Sequence, residues 1–417
     1  MSTYGLRQLR GETPNTMSTQ VSFRQPIVYN FRRTMPNTPA TNFEPDRQLL
    51  VRDCKSLVVK LGTQVLSDAN HRLDDTFLAS IARQVAALKS QGVSVTLVSS
   101  GATGSGLAEL GMTSRPADLP TLQAVAAVGQ RRLMDSWANA FAPLNLKVAQ
   151  VLLTRDDLDD RQRFLNVRGT MNAIHALGAI PIVNENDTVS TDELVRISFG
   201  DNDILAALLC QAIRADALVL LSVVPGVLDE NKQRVPTIRD VSAARKLLQP
   251  TKSALGRGGM NSKLEAARIV TGGGELMIIA HGREEDVLLR FMAGQDVGTW
   301  FLPARSQRRS GRHRWIRTAR PKGILTIDQG ACDAIKQGGK SLLAAGILST
   351  SGTFSRGDVV ELRSASGAVI AQGLSNYASV DMDRIKGKRT VDIRELLGSG
   401  AHDEVVHRDH LILAESD

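Results

Sequence analysis

The sequence predicts an α/β protein, a three-layer sandwich with a mostly parallel central sheet, followed by a small β-rich domain. Short apolar runs alternate with amphipathic helical segments between residues 57 and 293, the pattern of repeated strand–helix units. These apolar runs are nearly continuous, as is typical of parallel strands buried on both faces. After Pro321 the pattern changes to short strands and turns around one predicted helix near 329–337, which indicates a second domain.

The first predicted strand, Leu57-Val58-Val59, runs into Lys60-Leu61-Gly62-Thr63, where the glycine indicates a turn. Apolar residues then recur every three or four positions from Phe77 to Leu88, which predicts a helix that Gly92 ends. The β-branched run from Val93 to Val98 predicts the next strand. The alternation continues through helix 121–141, strand 147–153, helix 164–177, strand 179–183, helix 203–214, strand 217–222, helix 260–271, strand 275–280 and helix 284–293.

The chain divides into four predicted segments. Residues 1–52 are rich in Thr, Asn, Gln, Pro and Arg without apolar periodicity, which predicts a disordered extension. Residues 53–304 form the predicted catalytic domain, and the arginine-rich residues 305–320 are interpreted as a basic linker. Residues 321–410 form the predicted β-rich domain, which has an ordinary domain size.

The composition of the chain limits its expected binding partners and its expected location in the cell. The chain has 417 residues, a formal net charge of +8 and a pI near 9.6, which suits nucleotides or nucleic acid but equally describes a merely basic protein. No apolar run approaches the roughly 20 residues that cross a bilayer, so no membrane partner is expected. Cys54, Cys210 and Cys332 lie far apart and fit no zinc or disulfide spacing, which predicts a reducing, cytoplasmic location.

Polar residues follow the predicted strands, where open α/β sheets bind their ligands. These stretches are Lys60-Leu61-Gly62, Ser99 to Gly106, Asn184-Glu185-Asn186-Asp187, Gly200-Asp201-Asn202-Asp203 and Gly256 to Lys263. Two of them are glycine-rich turns at helix starts, which suit phosphate because backbone N–H groups and the helix dipole face the anion. Neither matches GxxxxGK[ST] or GxGxxG, so simple turn chemistry is the alternative reading.

Two lysines make phosphate chemistry more specific. Lys60 at a strand end and Lys263 at a helix start can flank a transferring phosphoryl group. Either lysine alone would be interpreted as a solvated surface charge. The Asn and Asp residues of 184–187 and 201–203 can bind an ammonium group, orient the lysines, or hold Mg²⁺ through water. Asp201 or Asn202 can also serve as a helix N-cap, which would explain one of them structurally.

Seven motifs resemble a known family. They are V-V-K-L-G-T (58–63), S-S-G-A (99–102), L-L-T-R (152–155), R-F-L-N (163–166), N-E-N-D (184–187), G-D-N-D (200–203) and G-G-M-N-S-K-L-E-A-A (258–267). From about Lys55 to Pro303 their order and spacing resemble the amino acid kinase family, and within it the kinases that act on glutamate. The resemblance implies the reaction ATP + L-glutamate → ADP + L-glutamyl 5-phosphate with Mg²⁺, the first step of proline synthesis.

The resemblance also implies residue roles. Lys60, Asp203 and Lys263 would be catalytic: Lys60 would contact the transferring phosphate, Lys263 would stabilise the transition state, and Asp203 would orient both. The implied glutamate-binding residues are Ser100, Asn184, Asp187, Asp201 and Asn202. The implied ATP-binding residues are Lys60, Ser222, Val223, Arg257, Gly258, Gly259, Met260, Asn261, Ser262 and Lys263. No residue is assigned as a direct metal ligand, and Val223 stands where the family usually carries Asp.

The C-terminal part resembles the PUA domain, through F-S-R-G-D-V-V (354–360), G-L-S-N-Y (373–377) and V-V-H-R-D (405–409). Such domains elsewhere bind RNA, but few aromatic residues for base stacking are present here, so nucleic acid is not the expected partner. The resemblance to the kinase family implies a homo-oligomer, a dimer or tetramer, with proline as a feedback inhibitor. Two alternatives stay open: a family member with a different acceptor, and an RNA-binding PUA protein with a degenerate kinase core.

Overall fold

The computed structural model describes residues 46–68, 72–190, 201–247, 254–303, 311–398 and 401–414, with backbone alone at 201, 246–247 and 254–258. Its larger sheet has eight strands in the order β3-β4-β2-β1-β5-β7-β8-β6. The strands are β1 (Ser56–Leu61), β2 (Ser94–Ser99), β3 (Val148–Leu153), β4 (Ile180–Glu185), β5 (Ala217–Ser222), β6 (Thr237–Ile238), β7 (Leu276–His281) and β8 (Thr299–Phe301). All neighbouring strands are parallel except β7 and β8, which confirms the predicted fold class.

Helices cover both faces of this sheet. They are α1 (Arg47–Val51), α2 (Thr63–Leu66), α3 (Asp75–Ser90), α4 (Ala102–Glu109), α5 (Leu119–Phe141), α6 (Arg155–Asp159), α7 (Arg161–Ala176), α8 (Asp201–Ile213), α9 (Val241–Leu247), α10 (Ala254–Gly273), α11 (Val287–Met292) and α12 (Gly311–Thr318). Strand alternation splits β1 between two buried clusters, with Leu57, Val59 and Leu61 on the face of α3, α5 and α11. Val58 points to the opposite face, which α7, α8, α10 and α12 cover.

Aspartates begin several of these helices. Asp74, Asp118 and Asp160 precede α3, α5 and α7, and each side chain accepts a hydrogen bond from a backbone N–H of the first turn. Gly92 follows α3 with φ of 80°, a left-handed conformation that glycine adopts without strain. These local signals explain why the helices predicted from periodicity begin and end close to their observed limits.

The C-terminal domain is built on a separate five-stranded sheet in the order β10-β9-β11-β12-β13. Its strands are β9 (Gly323–Ile327), β10 (Ile347–Gly352), β11 (Val359–Ser364), β12 (Val369–Leu374) and β13 (Leu411–Leu413), and its helices are α13 (Gln329–Gly338), α14 (Ser379–Ile385) and α15 (Thr390–Leu397). Leu325, Phe354 and Val360 belong to its own buried cluster. The predicted second β-rich domain is therefore present, and α14 and α15 are additions that the sequence pattern did not predict.

Two segments differ from their predicted character. Residues 47–51, expected within a disordered extension, form α1, because Asp46 caps the helix and Val51 is buried. Within the expected linker, residues 311–318 form α12, because Trp315 and Ile316 are buried in the core beside the sheet. Residues 1–45 and 304–310 lie outside the described residues. Among the helices that the structure describes, none is long and apolar enough to cross a membrane.

Candidate active site

Lys60 lies at the carboxyl end of β1, on the same side as Val58. Strand alternation therefore directs it toward the face that α8 and α10 cover. The residue is buried, with a relative exposure of 7%, and a buried ammonium needs a compensating charge. The compensating carboxylate comes from α8.

Asp203 in the first turn of α8 is that carboxylate. Its Oδ1 lies 2.7 Å from Nζ of Lys60 and its Oδ2 lies 3.0 Å from Nζ of Lys263. Burial by itself would raise the pKa of Asp203, but the two ammonium groups outweigh it and hold the pKa below its ordinary value. The three residues predicted as catalytic therefore meet in one buried triad that carries a net single positive charge.

Ser262 and Lys263 reach the triad from α10. Oγ of Ser262 donates to Oδ2 of Asp203 at 3.0 Å, and Nζ of Lys263 also donates to the carbonyl oxygen of Gly259 at 3.2 Å. Helix α10 begins at Ala254, so the glycine-rich stretch expected as a turn is already helical. Lys263 and Ser262 therefore stand in the helix body, and their positions depend on how α10 packs.

An amide network lies beside the triad. Nδ2 of Asn202 donates to Oγ of Ser100 at 2.8 Å and to Oδ1 of Asn184 at 3.1 Å. Oδ1 of Asn184 also accepts the backbone N–H of Glu185 at 2.9 Å, and its Nδ2 donates to Oε1 of Gln130 at 2.8 Å. The backbone N–H of Glu185 can only donate, so the side-chain atom of Asn184 that it contacts must be the oxygen. The orientations of the neighbouring Asn202 and Gln130 amides follow from that assignment.

Two buried atoms of this network have no hydrogen-bond partner. They are Oδ1 of Asn202, an acceptor, and Nε2 of Gln130, a donor. Leaving a buried polar atom unpaired costs about 1–3 kcal/mol, and such atoms in a native site are commonly completed by a ligand or water. The network therefore offers an acceptor and a donor to a small polar molecule.

Asp187 lies in the turn after β4, close to the amide network in sequence. With Ser190, Gln123 and three apolar residues of α5 it lines a small cavity. The turn is held by Oγ of Ser190, which donates to Oε1 of Glu185 at 2.5 Å, and by Nε2 of Gln123, which donates to the carbonyl oxygen of Ser190 at 2.9 Å. Asp187 thus lines this cavity, and residues 191–200 that follow lie outside the described residues.

Apart from Lys60 on β1, the residues predicted to contact ATP lie at the end of β5 and on α10. Ser222 ends β5, and Val223 after it is 44% exposed although it is apolar. Met260 and Asn261 lie on α10, with Met260 partly buried and Asn261 exposed. Gly259 belongs to the same helix, while the side chains of Arg257 and Asp201, and the surroundings of Gly258, lie outside the described residues.

Sequence reasoning missed Gln130, Gln123 and Ser190. Gln130 lies inside α5, at a helical position whose neighbours are apolar, which indicates burial but does not indicate its contact with Asn184. Ser190 and Gln123 matter through contacts that join segments far apart in the chain. Only the packing of α5 against the carboxyl end of β4 brings them together.

Two glycines near the predicted phosphate turn have a packing role. A Cβ at Gly106 would lie 1.9 Å from the carbonyl oxygen of Val125, and a Cβ at Gly129 would lie 1.9 Å from that of Ala102. The glycines therefore allow α4 and α5 to approach backbone to backbone. This explains part of the glycine content of residues 99–106 without phosphate.

Metal ligands are a separate question. In the part of the chain that the structure describes, no group of three or more His, Cys, Asp or Glu side chains is arranged to hold a metal ion. Both carboxylate oxygens of Asp203 already contact lysines. The two lysines on Asp203 make the site cationic, with the amide network beside it.

A cationic triad at the carboxyl edge of a parallel sheet is suited to phosphate and indicates a phosphate-binding α/β protein, and the comparison with known families agrees. Residues 55–281 match the model of the amino acid kinase family, and residues 323–397 match that of the PUA domain. The chain belongs to the amino acid kinase family.

The chain is also similar to individual known proteins. The chain is 46% identical over 367 residues to glutamate 5-kinase of Thermus thermophilus, covering 87% of this chain and 98% of the relative. It is 42% identical over 375 residues to glutamate 5-kinase of Syntrophotalea carbinolica, covering 88% of this chain and 99% of the relative. Among solved structures, Giardia carbamate kinase aligns with a TM-score of 0.44 and 17% identity, covering 60% of this chain and 99% of that one.

Proposed function

We propose that this chain is an ATP-dependent kinase that phosphorylates the side-chain carboxylate of L-glutamate, giving L-glutamyl 5-phosphate, the first step of proline synthesis from glutamate. The observation that carries the proposal is the buried triad of Lys60, Asp203 and Lys263 directly beside the Asn202 amide network. The triad suits the transferring phosphate, and the network suits a small amino acid. The similarity to glutamate 5-kinases over 87% of the chain supports the same reaction.

At the phosphoryl end, the two lysines supply the catalytic charge. Phosphoryl transfer needs positioning and neutralisation of the equatorial oxygens more than covalent chemistry by the protein. Nζ of Lys60 and Nζ of Lys263 are held on opposite oxygens of Asp203, so their separation is set before substrate binds. Such preorganised charge stabilises the transition state without rearrangement during the reaction.

At the acceptor end, the amide network binds glutamate. The unpaired Oδ1 of Asn202 can accept a hydrogen bond from the substrate ammonium, and the unpaired Nε2 of Gln130 can donate to a carboxylate. Ser100, Asn184 and Asp187 complete the proposed binding group, with Asp201 in support. A molecule carrying both an ammonium and a carboxylate satisfies both kinds of atom, whereas a simple anion satisfies one.

The chemical step needs no general base. The side-chain carboxylate of glutamate has an ordinary pKa of about 4.3 and is ionised at neutral pH. One of its oxygens attacks the γ-phosphorus of ATP, a new P–O bond forms, and the bond from that phosphorus to the β-phosphate oxygen breaks. ADP leaves with the electron pair of that bond, so charge and atoms balance without a proton transfer.

ATP would lie between β5 and α10, with its phosphates at the lysines. Ser222 and Val223 would contact one side of the nucleotide, and Arg257, Gly258, Gly259, Met260, Asn261 and Ser262 the other. Exposed Val223 offers an apolar surface and no carboxylate. We therefore expect weaker polar selection of the nucleotide at this position than a carboxylate would give.

Mg²⁺ is proposed to enter with ATP. The cation usually keeps several waters and binds substrate phosphates with one or two carboxylates, and the described residues offer no group of three ligands. The residues fit a cation held mainly by the nucleotide, with Asp203 fully engaged by the lysines. When bound, it would neutralise charge on the β- and γ-phosphates.

Several finer predictions rest on the resemblance alone. We propose a cytoplasmic homo-oligomer, a dimer or tetramer, with proline as a feedback inhibitor. Nucleic acid is not the proposed ligand, because the triad is intact and a degenerate core would have no use for two lysines paired with one buried carboxylate. Tight RNA binding that falls steeply with salt would revive the alternative.

An acceptor screen tests the function. The full chain is incubated with Mg·ATP and glutamate, aspartate or acetylglutamate, ADP release is followed, and acyl phosphate is trapped as a hydroxamate. Glutamate alone is expected to give both ADP and hydroxamate. Turnover with aspartate or acetylglutamate but not with glutamate contradicts the proposal.

A further inference from the structure

Two side-by-side helices carry the proposed catalytic groups. Asp203 of α8 meets Lys263 of α10 at one end, and Gln211 of α8 meets Val270 of α10 further along. The two helices therefore run in the same direction. The second contact lies about two helical turns, or about 12 Å, from the first.

A buried polar cluster ties the far ends together. Nε2 of Gln211 donates to the carbonyl oxygen of Val270 at 3.3 Å and to Oε2 of Glu275 at 2.5 Å. Nη1 of Arg314, on α12, lies 2.5 Å from Oε1 of Glu275, and these two side chains are 2% and 0% exposed. An ion pair is thus fully buried at the end of both helices, far from solvent.

The surrounding backbone is shaped for this cluster. A Cβ at Gly273 would lie 2.2 Å from Oε1 of Gln211 and 2.4 Å from Oε2 of Glu275. A Cβ at Gly272 would lie 2.4 Å from Nη2 of Arg317, whose Nη1 donates to the carbonyl oxygen of Gly272 at 3.1 Å. Arg317 of α12 therefore binds the last turn of α10 directly, and Arg314 of α12 pairs with Glu275 just beyond the end of that helix.

The two helices are not equally anchored elsewhere. Helix α8 packs against β1, β5, β2 and β4 in the centre of the sheet, whereas the strand contacts of α10 are chiefly with β7 and β5. If the cluster were lost, α10 would have fewer contacts to keep its axial position. A shift of α10 would move Lys263 and Ser262 relative to Asp203, while Asn202 would stay with the sheet.

We propose that Arg314 and Glu275 are positioning residues for phosphoryl transfer, which set the axial position of α10 and thereby the placement of Lys263 against Asp203. The inference rests on the proposed function. Arg314 lies between the segments that match the amino acid kinase family and the PUA domain, so a helix outside both would help to arrange the catalytic lysine. A buried ion pair suits this role because pulling its two charges apart would leave each of them uncompensated in the interior, which opposes displacement of the elements that carry them.

The test compares Arg314→Met, Arg314→Lys and Glu275→Gln with a matched control, Arg155→Met. Arg155 also joins α12 to the rest of the protein, because its Nη2 donates to the carbonyl oxygen of Thr318 at 2.5 Å and its Nε pairs with Asp159. Its contacts lie on α6 and the end of α12, away from α10. All variants are assayed well below their melting temperatures, where circular dichroism shows them folded.

Arg314→Met and Glu275→Gln are expected to lower kcat by about 10- to 100-fold, because a displacement of a catalytic group by about 1 Å has an effect of this size. The KM for glutamate is expected to stay within about two-fold, since uniform binding is not removed. Arg314→Lys keeps the charge and is expected to lie between wild type and Arg314→Met. Arg155→Met is expected to lower the melting temperature while kcat stays at the wild-type value.

Hydrogen exchange gives a readout that does not need activity. Amides of residues 259–266 in α10 are expected to exchange faster in Glu275→Gln than in wild type, with those of α8 unchanged. Wild-type protein that leaves glutamate unphosphorylated would refute the proposed function but would leave this exchange test intact. A folded Glu275→Gln or Arg314→Lys with wild-type kcat and wild-type exchange in α10 would overturn the inference, even if Arg314→Met did not fold.

Discussion

At the scale of single residues, Asp203 decides the character of the site. A carboxylate that is 1% exposed would ordinarily be neutralised by a raised pKa. Here two lysines hold it ionised, and it in turn holds them at 2.7 and 3.0 Å. Without the carboxylate of Asp203, neither lysine would have a compensating charge at this position. The three residues therefore depend on one another.

Replacing Asp203 by Asn is expected to lower kcat by about 10²–10³-fold, because the two ammonium groups lose the anion that sets their separation. Initial rates of ADP release at saturating ATP and glutamate measure this. Asp296→Asn is the control, since Asp296 pairs with Arg47 and Arg234 at the surface and should leave kcat unchanged. An equal loss in both variants would show that the effect is not local.

The same carboxylate predicts a pH dependence of stability. The pKa of Asp203 is lower in the folded state, so its contribution is fully present above the unfolded value of about 3.9. The contribution is lost as the pH falls through the folded-state pKa. The difference in free energy of unfolding between wild type and Asp203→Asn should therefore be constant from about pH 5 to 8 and shrink only in stronger acid. Urea titrations at several pH values test this, and a difference that shrinks near neutral pH would contradict it.

At the scale of helices and strands, the close packing of α4 against α5 positions residues of the proposed glutamate-binding side. Gly106 and Gly129 let the two backbones touch, and α5 carries Gln123 and Gln130 to the end of β4. The spacing of these helices is therefore part of the site. It depends on residues that have no functional groups.

Gly106→Ala and Gly104→Ala form a matched pair on α4. A Cβ at Gly106 would lie 1.9 Å from a backbone oxygen, whereas a Cβ at Gly104 meets nothing within 4 Å. Gly106→Ala is expected to lower the free energy of unfolding by about 1–3 kcal/mol through overpacking. Gly104→Ala is expected to raise it by about 0.5–1 kcal/mol through helix propensity. Urea unfolding at neutral pH measures both, and effects of the same sign would refute the packing role.

His175 links α7 to β2 and predicts a second pH effect. Its Nε2 lies 3.0 Å from Oγ1 of buried Thr96, and burial together with nearby Lys89 lowers its pKa from the ordinary 6.5. The unfolded chain therefore binds the proton more tightly, so wild-type stability should fall as the pH drops below about 6.5. His175→Gln should lose less stability between about pH 7 and 5. Melting temperatures across this range test it, and parallel curves for the two proteins would contradict it.

At the scale of the whole molecule, α12 joins the catalytic sheet to the C-terminal domain. Its Trp315 and Ile316 are buried with residues of α8 and α10, and Val359 and Ile412 of the second sheet share that cluster. Arg312 also contacts His410 in the C-terminal domain. The segment expected as a linker is thus part of the core of the catalytic domain.

Two truncations separate the roles of α12 and the second sheet. A chain ending at Arg320 keeps α12 and is expected to phosphorylate glutamate with a moderately lower melting temperature. A chain ending at Pro303 leaves the carboxylate of Glu275 buried without Arg314, which should cost about 3–5 kcal/mol in addition to lost apolar burial. Thermal unfolding and ADP release compare them. Equal melting temperatures of the two truncated chains would show that α12 does not support the catalytic domain.

Much of the fold could be predicted because its strands are continuous apolar runs and its helices have regular periodicity and aspartate caps. Helix α12 could not, because its many arginines resemble a solvated linker until a partner such as Glu275 is known. Lys60, Asp203 and Lys263 could be proposed from strand ends and family motifs. Gln130 could not, because its apolar helical neighbours indicate burial but not the contact with Asn184.

The sequence by itself determined the α/β class, the order of strands and helices, and which polar residues follow each strand, since these depend on local pattern. Tertiary structure alone decided that Lys60 and Lys263 share the two oxygens of Asp203. It also decided that Asn202 and Gln130 keep unpaired atoms and that Arg314 reaches Glu275 behind the site. Each of these features depends on which segments, distant in the chain, come together in the fold. The free energy of a polar group there depends on its burial, which no local pattern specifies.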